Sequence, residues 1–430
     1  MVRYVRFSAV VLAVALAAGA CTPASATPSA GTSPGGSGVP SVAPTGSAAA
    51  TATAVATTPA APTASAVLAH WATAGNLPSA NAGWSETHVL LVSGGKILVV
   101  GDDNANAPGP PSAVGALIWD PGTGKWTATA SLNAPREYFA AESLKNGQAI
   151  VFGGLDDNYD AYSSAKLYDA TTGKWTATGL MTTARMNLAS TRLKDGRVMA
   201  IGGEYMSGST DKILASVEIY DPATGKWTVT GALNTARRNA QAVTLADGRV
   251  LVVGGDGGDP TKFASAEIWT PGTGKWSAAG NLALARDEFS LLALPDGSAL
   301  VAGGLDTTAA VATTEKLDLA TLKWKPGPAM KSAAASRITA TLADGKILLA
   351  GGRPGSRKPA IAAAEIFDPV AGTFAATAAI PTTQERSGAV LLGDGSVMVA
   401  GGDGGFTGPA SAPWYPDTRL GALRYYPAKP

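Results

Sequence analysis

Short apolar runs alternate with glycine-bearing turns from about residue 68 to the end of the chain. The apolar runs end in pairs of glycines, and these pairs recur at intervals of about 50 residues. The pairs are Gly153-Gly154, Gly202-Gly203, Gly254-Gly255, Gly303-Gly304, Gly351-Gly352 and Gly401-Gly402, with a degenerate first copy at Gly101-Asp102. Such a period predicts a repeat architecture in which each unit is one supersecondary structure.

A further glycine precedes each apolar run, mostly as Asp-Gly. These glycines are Gly95, Gly147, Gly196, Gly248, Gly297, Gly345 and Gly395. Asp-Gly between apolar runs predicts a tight hairpin, because the turn requires positive φ. Later in each unit an alternating segment carries an aromatic residue, and a turn such as Asp-Pro-x-Thr-Gly-Lys leads to a second one. The first series is Trp119, Tyr168, Tyr220, Trp269, Phe367 and Tyr425, interrupted at Asp318; the second is Trp126, Trp175, Trp227, Trp276, Trp324 and Phe374. Each unit is therefore predicted to contain four short strands.

The two ends of the repeated region complement each other. The last unit reaches its third strand near Tyr425, and the sequence stops at Pro430 without a fourth. His70-Trp71 and the residues after them match Lys125-Trp126, the start of a fourth strand. An N-terminal strand that completes the last unit would close the ring and remove its exposed strand edges. We therefore predict an all-β fold of seven units with Trp71 as the clasp.

Paired glycines followed by Tyr and then Trp at this spacing resemble the kelch repeat. The resemblance covers nearly everything from Trp71 to the C terminus and implies a seven-bladed kelch-type β-propeller over residues 68–430. The best-known enzymes among secreted kelch-like propellers resemble galactose oxidase, whose copper is held by tyrosines and histidines beside a cysteine-crosslinked tyrosine. This chain has one cysteine, Cys21, and two histidines, His70 and His88. We therefore expect no such copper site and no cofactor.

The N terminus has the layout of an export signal. Arg3 and Arg6 precede an apolar run over residues 10–18, which small residues follow. Cys21 comes directly after Ala18-Gly19-Ala20, so residues 1–21 resemble a bacterial lipoprotein signal whose cysteine receives lipid. Ordinary cleavage after Ala26 is the competing interpretation. We expect an exported protein that a lipid anchors to the cell surface, with simple secretion as the alternative.

A spacer follows the signal. Residues 22–67 consist only of Ala, Thr, Pro, Ser, Gly and Val. Without charged or aromatic residues this segment has nothing with which to form a core, so it is predicted to be a disordered linker. Its Thr, Ser and Pro content also permits O-glycosylation. We expect this linker to hold the globular head off a surface.

Charge balance excludes several partners. Lys and Arg total 33 against 32 Asp and Glu, which gives a formal net charge of +1. No bulk attraction draws such a chain to phosphate backbones or anionic lipid. We expect no nucleic-acid partner, membrane contact only through the lipid anchor, and a monomer.

Two of the ten tryptophans fall outside the repeat. Trp84 lies in the link that enters the first unit, and Trp414 lies in the long connection of the last. Such connections share one face of a propeller. The other off-pattern aromatics are Tyr138, Tyr159, Tyr162, Tyr205, Phe406 and Tyr415. Exposed aromatics suit stacking on sugar rings or anchoring a protein; alternatively they pack over one another beneath long loops.

An arginine also recurs before the first strand, at Arg136, Arg185, Arg237 and Arg286, and its regularity indicates a hydrogen bonder between blades. The residues two positions later are predicted to surround the mouth of the central channel. They are Glu86, Tyr138, Asn187, Asn239, Glu288, Ser336 and Arg386, preceded by Ser85, Glu137, Met186, Arg238, Asp287, Ala335 and Glu385. These groups either bind a polar ligand or form a solvated rim.

Two function classes remain. We expect a non-enzymatic carbohydrate- or protein-binding module that uses Trp84, Trp414, Tyr415 and the channel mouth. The alternative is a cofactor-free carbohydrate-active enzyme, for which Glu137, Asp287 and Glu288 are the candidate catalytic carboxylates. The acidic loop over residues 156–160 lacks the EF-hand spacing, so a solvated loop is favoured there over a calcium site.

Overall fold

The architecture is a ring of four-stranded antiparallel sheets. A computed structural model describes residues 68–77, 87–101, 115–132, 134, 136–208, 210–258, 262–307, 309–356, 358–402 and 421–428. The strands of blades one to three, preceded by the N-terminal strand β1, are β1 (His70–Asn76); β2 (Thr87–Val92), β3 (Lys96–Gly101), β4 (Ala116–Asp120), β5 (Lys125–Ala128); β6 (Ala140–Ser143), β7 (Ala149–Phe152), β8 (Ala165–Asp169), β9 (Lys174–Ala177); β10 (Ala189–Arg192), β11 (Val198–Ile201), β12 (Glu204–Ser207), β13 (Thr210–Ile213), β14 (Val217–Asp221), β15 (Lys226–Val229).

The remaining four blades follow the same plan. Their strands are β16 (Gln241–Thr244), β17 (Val250–Val253), β18 (Ser265–Thr270), β19 (Lys275–Asn281); β20 (Ser290–Ala293), β21 (Ala299–Ala302), β22 (Thr314–Asp318), β23 (Lys323–Pro326); β24 (Ile338–Thr341), β25 (Ile347–Ala350), β26 (Ala364–Asp368), β27 (Thr373–Ala376); β28 (Gly388–Leu391), β29 (Val397–Ala400), β30 (Gly421–Tyr426). Blade three carries β12 and β13 as an added hairpin with a sheet of its own. Across the described ranges no helix has the length and apolar character needed to span a bilayer.

The N-terminal strand completes the seventh blade, as predicted. The order of that sheet is β28-β29-β30-β1, and β1 pairs antiparallel with β30 so that Trp71 lies opposite Tyr425. Their rings are 5.0 Å apart. This closure makes the fold a seven-bladed β-propeller whose first and last segments share one sheet.

The core lies between the blades. In the described part of the chain, seven clusters of buried side chains each join two neighbouring blades. Between blades seven and one, for example, Met398 and Ala400 pack with Ile97 and Val99, and all four side chains are shielded from water. Burial of this kind is the main favourable contribution to folding. Each blade therefore depends on both neighbours.

The four strands of each blade alternate in direction, so the connections divide between two faces. The turn face carries the hairpins between first and second strands, such as that at Gly147, and between third and fourth strands, such as that at Gly173. The mouth face carries the links between second and third strands and between blades. Gly147 has φ 82° and Gly173 has φ 67°, as the sequence pattern requires.

The glycine pairs end the second strands at the mouth face. Gly203 has φ 92°, and a Cβ there would lie 2.6 Å from the carbonyl oxygen of Met186. This close approach explains why a glycine follows each second strand. One detail of the sequence pattern was wrong: Leu317, not Asp318, is the residue that interrupts the third-strand aromatic series, because Leu317 lies opposite Trp324.

Candidate functional site

The channel mouth is a ring of equivalent residues. Six of the seven predicted positions are described, and all six have a left-handed backbone, with φ between 50° and 57°: Tyr138, Asn187, Asn239, Glu288, Ser336 and Arg386. The Asn187 N–H donates to the Tyr138 carbonyl at 3.1 Å, and the Asn239 N–H donates to the Asn187 carbonyl at 2.9 Å. The same bond joins Ser336 to Glu288 at 2.9 Å. These hydrogen bonds pass from blade to blade and hold the mouth rigid.

A second ring lies beside the first and was missed by the sequence analysis. In five described blades, the residue directly after the glycine pair forms a backbone bridge to the residue that precedes a mouth position. The bridges are Glu137 to Leu155, Met186 to Glu204, Arg238 to Asp256, Asp287 to Leu305 and Ala335 to Arg353. The sequence signal for this ring was the position directly after a glycine pair. The residues at this position include the carboxylates Glu204 and Asp256 and the arginine Arg353.

The mouth is closed by ion pairs in blades five to seven. Arg353 donates to Glu288 at 2.5 Å and to Glu385 at 3.2 Å, and the Ser336 hydroxyl donates to Glu288 at 2.6 Å. Glu288 is 7% exposed, Arg353 8% and Glu385 1%. Arg386 is also buried here. In this cluster Arg353 compensates the charges of two buried carboxylates.

Two of the three candidate catalytic carboxylates are held by separate cations. Asp287 and Glu288 are adjacent in sequence but bind different cations, because Asp287 accepts from Lys262 at 2.8 Å while Glu288 binds Arg353. Glu137 is half-buried in blade two, and blades three and four lie between it and Asp287 in chain order. Carboxylates that each have a cationic partner are poorly placed to exchange a proton with a substrate.

The mouth is more open in blades two to four. Tyr138, Asn187 and Asn239 are each only half-buried. The Asn239 amide Nδ2 donates to Asp256 at 2.9 Å, whereas its Oδ1 is buried without a hydrogen-bond partner among the described residues. Tyr138 packs beside the small buried cluster of Leu155, Met186 and Met206. One tyrosine and two asparagines, all partly exposed, therefore lie at the open half on consecutive blades.

Glu204 adds a buried carboxyl to this half. It is 1% exposed and binds Arg238 at 2.5 Å, while Arg238 also binds Asp256 at 2.9 Å. Burial, together with the neighbouring Asp211, raises the pKa of Glu204, and Arg238 opposes the shift. Arg238 thus links two acidic side chains across neighbouring blades.

Several predicted site residues lie outside the described ranges. They are the lipidation candidate Cys21 and the residues predicted at the mouth face, Trp84, Ser85, Glu86, Phe406, Trp414 and Tyr415. Their part in a site stays a prediction.

The other off-pattern aromatics divide between packing and exposure. Tyr162 lies over the guanidinium of Arg136, 4.4 Å from ring centroid to Cζ. Tyr205 is half-buried on the added hairpin, whereas Tyr159 is 65% exposed.

In the acidic loop the Asp156 carboxylate accepts from the N–H groups of residues 158 and 160 at 2.9 and 2.8 Å. Asp156 thereby stabilises its own turn.

The recurring arginine joins neighbouring blades. The Arg185 N–H donates to Tyr162 of blade two at 3.1 Å, and its side chain donates to Gly202 of blade three at 2.7 Å. Arg185 also binds Glu218 at 2.8 Å, and both side chains are 0% exposed. This repeated arrangement has a structural role and does not form a ligand site.

The comparisons agree with this geometry. The kelch motif matches residues 188–233 and 237–283, which span blades three and four. The chain is a seven-bladed β-propeller that carries kelch motifs. No curated protein matches the propeller by sequence. Among solved structures it is similar to a fungal alcohol oxidase of the AA5 family in complex with copper, with 18% identity, coverage of 84% of this chain and 77% of that one, and a TM-score of 0.63. At this identity the likeness concerns the fold alone.

The propeller's residues do not fit the copper of that oxidase. His70 is exposed on the outermost strand of blade seven, where it stacks on Tyr426 at 4.9 Å. His88 is buried on the innermost strand of blade one, and burial lowers its pKa to about 4. The two histidines of the sequence thus lie at opposite edges of their sheets. Among the residues that the structure describes, no three side chains of His, Cys, Asp or Glu are grouped to hold a metal ion.

Proposed function

We propose that this kelch propeller is an exported surface protein that binds a carbohydrate at the open half of its mouth, without chemical change to the ligand. The observation that carries the proposal is the set of Tyr138, Asn187 and Asn239, which are partly exposed on three consecutive blades and joined by backbone hydrogen bonds. A polar ligand at the mouth would meet all three residues.

This set has the chemistry that sugars need. A tyrosine ring offers a flat apolar surface with a hydroxyl, and each asparagine offers both donors and an acceptor. The Asn239 side chain is oriented by the bond from its Nδ2 to Asp256. Because the backbone at these positions is already fixed, binding costs little ordering entropy.

The attachment geometry supports display of the mouth. In blade one, Lys125 begins the fourth strand directly after a hairpin of the turn face and pairs with Asp120. His70 occupies the same position in blade seven, where it pairs with Tyr426. Leu68, the first described residue, therefore lies at the turn face. A lipid on Cys21 and a linker over residues 22–67 would then hold the propeller with its mouth face away from the membrane.

Two alternatives receive less support. An enzyme would need facing carboxylates, and Asp287 and Glu288 are each paired with a cation. A protein partner would be anchored chiefly by Trp84 and Trp414, the two tryptophans that the repeat does not use. Binding experiments with these tryptophan variants are therefore needed to distinguish an extracellular protein ligand from a glycan.

A glycan array probed with the full-length protein tests the proposal. We expect binding to at least one glycan, and we expect Trp84→Ala, Trp414→Ala and Tyr138→Ala each to weaken it. If no glycan binds and the variants behave as wild type, the carbohydrate proposal is wrong. Turnover of a bound glycan that Glu288→Gln abolishes would instead support the enzyme.

The anchor requires a separate test. Labelled palmitate should appear on the wild-type protein in cells and not on Cys21→Ala. A Cys21→Ala protein that stays equally membrane-bound would contradict the lipid anchor while leaving the binding proposal intact.

A further inference from the structure

Each of blades three to five neutralises its buried arginine with a glutamate from its own third strand. The pairs are Arg185 with Glu218 at 2.8 Å, Arg237 with Glu267 at 2.9 Å and Arg286 with Glu315 at 2.6 Å, and no member is more than 7% exposed at its side chain. Burial of a charge without an opposite partner is strongly unfavourable. The glutamate therefore offsets the cost of burying the arginine.

The same glutamate accepts further hydrogen bonds from the link between blades. Glu218 accepts from the Thr182 N–H at 2.7 Å and from the Thr183 N–H at 3.1 Å. Glu267 accepts from the Asn234 N–H at 2.7 Å and from the Thr235 N–H at 3.1 Å. In these blades a negative group is thus surrounded by donors of the main chain and a guanidinium.

Blade two has the arginine but not the glutamate. Arg136 is 2% exposed, and its Nη2 donates to the Ser164 hydroxyl at 2.7 Å, as Arg185 Nη2 donates to Ser216 at 3.1 Å. Lys166 is the residue of β8 that corresponds to Glu218 of β14, since each lies two residues before the third-strand tyrosine. The Lys166 amine donates to the Leu132 carbonyl. Blade two thus has two cations where blades three to five have a cation and an anion.

The aromatic ring over Arg136 does not replace the carboxylate. Phe263 is the counterpart of Tyr162 in blade four and lies 5.4 Å from the Arg237 guanidinium, yet Arg237 still binds Glu267. The ring is therefore an addition to the ion pair in blade four. Burial lowers the pKa of Arg136 to about 10, and burial with the neighbouring Arg136 also lowers the pKa of Lys166.

We propose that blade two binds a small inorganic anion of chloride size between Arg136 and Lys166, where the glutamate carboxylate lies in blades three to five. The anion would accept from the guanidinium and the ammonium and would balance one of the two charges. Lys166 is only half-buried, so an ion from solvent can reach its amine.

Thermal unfolding of the full-length protein in sodium chloride and in sodium gluconate, at equal ionic strength, tests the site. Ligand binding to the folded state raises the melting temperature, and gluconate is a much larger anion than chloride. We expect chloride to raise the melting temperature by about 2 °C or more. Equal melting temperatures in the two salts would overturn the proposal.

Substitution of Lys166 separates this site from general salt effects. Lys166→Glu restores the pattern of blades three to five, so we expect a more stable protein whose melting temperature is the same in both salts. Lys174→Glu, at an exposed lysine of the same blade, is the matched control and should keep the chloride effect. A chloride effect that persists in Lys166→Glu would contradict the site.

A crystal soaked in bromide gives a measurement that does not depend on the variants. We expect an anomalous peak within hydrogen-bond reach of Arg136 and Lys166. Bromide peaks elsewhere with none between these two side chains would also overturn the proposal.

Discussion

The Trp71 indole donates a hydrogen bond of 2.7 Å to the carbonyl of Ala378, which lies 307 residues later in the chain. Trp126 makes the corresponding bond to the Ala74 carbonyl at 2.8 Å, and Trp175 makes it to the Ala130 carbonyl at 2.8 Å. In each case a fourth-strand tryptophan reaches the preceding blade. Trp71 performs this role for the only blade built from both ends of the chain.

We expect removal of the clasp strand to be strongly destabilising. Deletion of residues 68–77 removes β1, exposes the edge of β30 and leaves blade seven with three strands. Deletion of residues 22–66, a longer segment, should leave the melting temperature within about 1 °C of wild type, because this segment is predicted to contribute nothing to the core. Calorimetry of both deletion proteins is the check, and equal melting temperatures would show that β1 does not close the ring.

We expect the buried ion pair of blade three to matter far more than an exposed pair. Glu218→Gln leaves the Arg185 charge buried without an opposite partner and should lower the free energy of unfolding by about 3 kcal/mol. Asp195→Asn breaks a pair with Arg197 whose side chains are 51% and 41% exposed, and should cost less than about 1 kcal/mol. Urea unfolding measures both. Similar losses for the two variants would contradict the structural role of the recurring arginine.

Glu142 should make the protein less stable as the pH rises. Burial raises its pKa from 4.5 to about 7, and Ser190 and Arg192 oppose the shift. Between these values the folded state binds more protons than the unfolded state, so the free energy of unfolding decreases with increasing pH. The contribution is complete below about pH 4.5 and is lost as the pH passes 7.

Comparison with Glu142→Gln isolates this effect. From pH 5 to pH 8 the wild type should lose about 3 kcal/mol more than the variant. The direct comparison is needed because His88, with its pKa lowered to about 4, contributes in the opposite direction between pH 4 and 6.5. Parallel stability profiles for the two proteins would contradict a buried, protonated Glu142.

Arg353 should be essential to the closed half of the mouth at neutral pH. Arg353→Met leaves Glu288 and Glu385 buried near each other without their shared cation, which should cost about 3 kcal/mol or more at pH 7. Two buried carboxylates that have lost their shared cation repel each other, so we expect part of the loss to be recovered at pH 5. Lys346→Met, at a lysine whose side chain is 42% exposed on a hairpin of the turn face, should show neither change. A loss that is equal at both pH values would indicate a packing defect instead.

The sequence predicted the parts of the fold that depend on local backbone rules. The hairpin glycines predicted the blade turns because an Asp-Gly turn needs positive φ, and Gly147 has it. The match of His70-Trp71 to Lys125-Trp126 predicted the closure, since equivalent strands carry equivalent residues. The mouth positions Asn187 and Asn239 followed from counting within each repeat.

What the sequence did not predict depends on the reach of side chains. Arg353 lies 65 residues after Glu288, so their contact needs the ring geometry. In blade six Ala334 occupies the recurring arginine position, and Arg337, three residues later, binds Glu365 at 3.0 Å instead. The hairpin of β12 and β13 also had no repeat pattern to reveal it. Division of the mouth into a closed and an open half was therefore visible only in the structure.

The most direct test of the account is a calorimetric titration of a glycan found on the array against three single variants of the full-length protein. Asn187→Ala and Asn239→Ala, in the open half of the mouth, should each weaken binding at least about tenfold, because each removes hydrogen bonds to the ligand. Asn146→Ala, in a hairpin of the turn face, should bind as wild type. Unchanged affinity in both mouth variants, or a loss in Asn146→Ala, would contradict binding at the mouth.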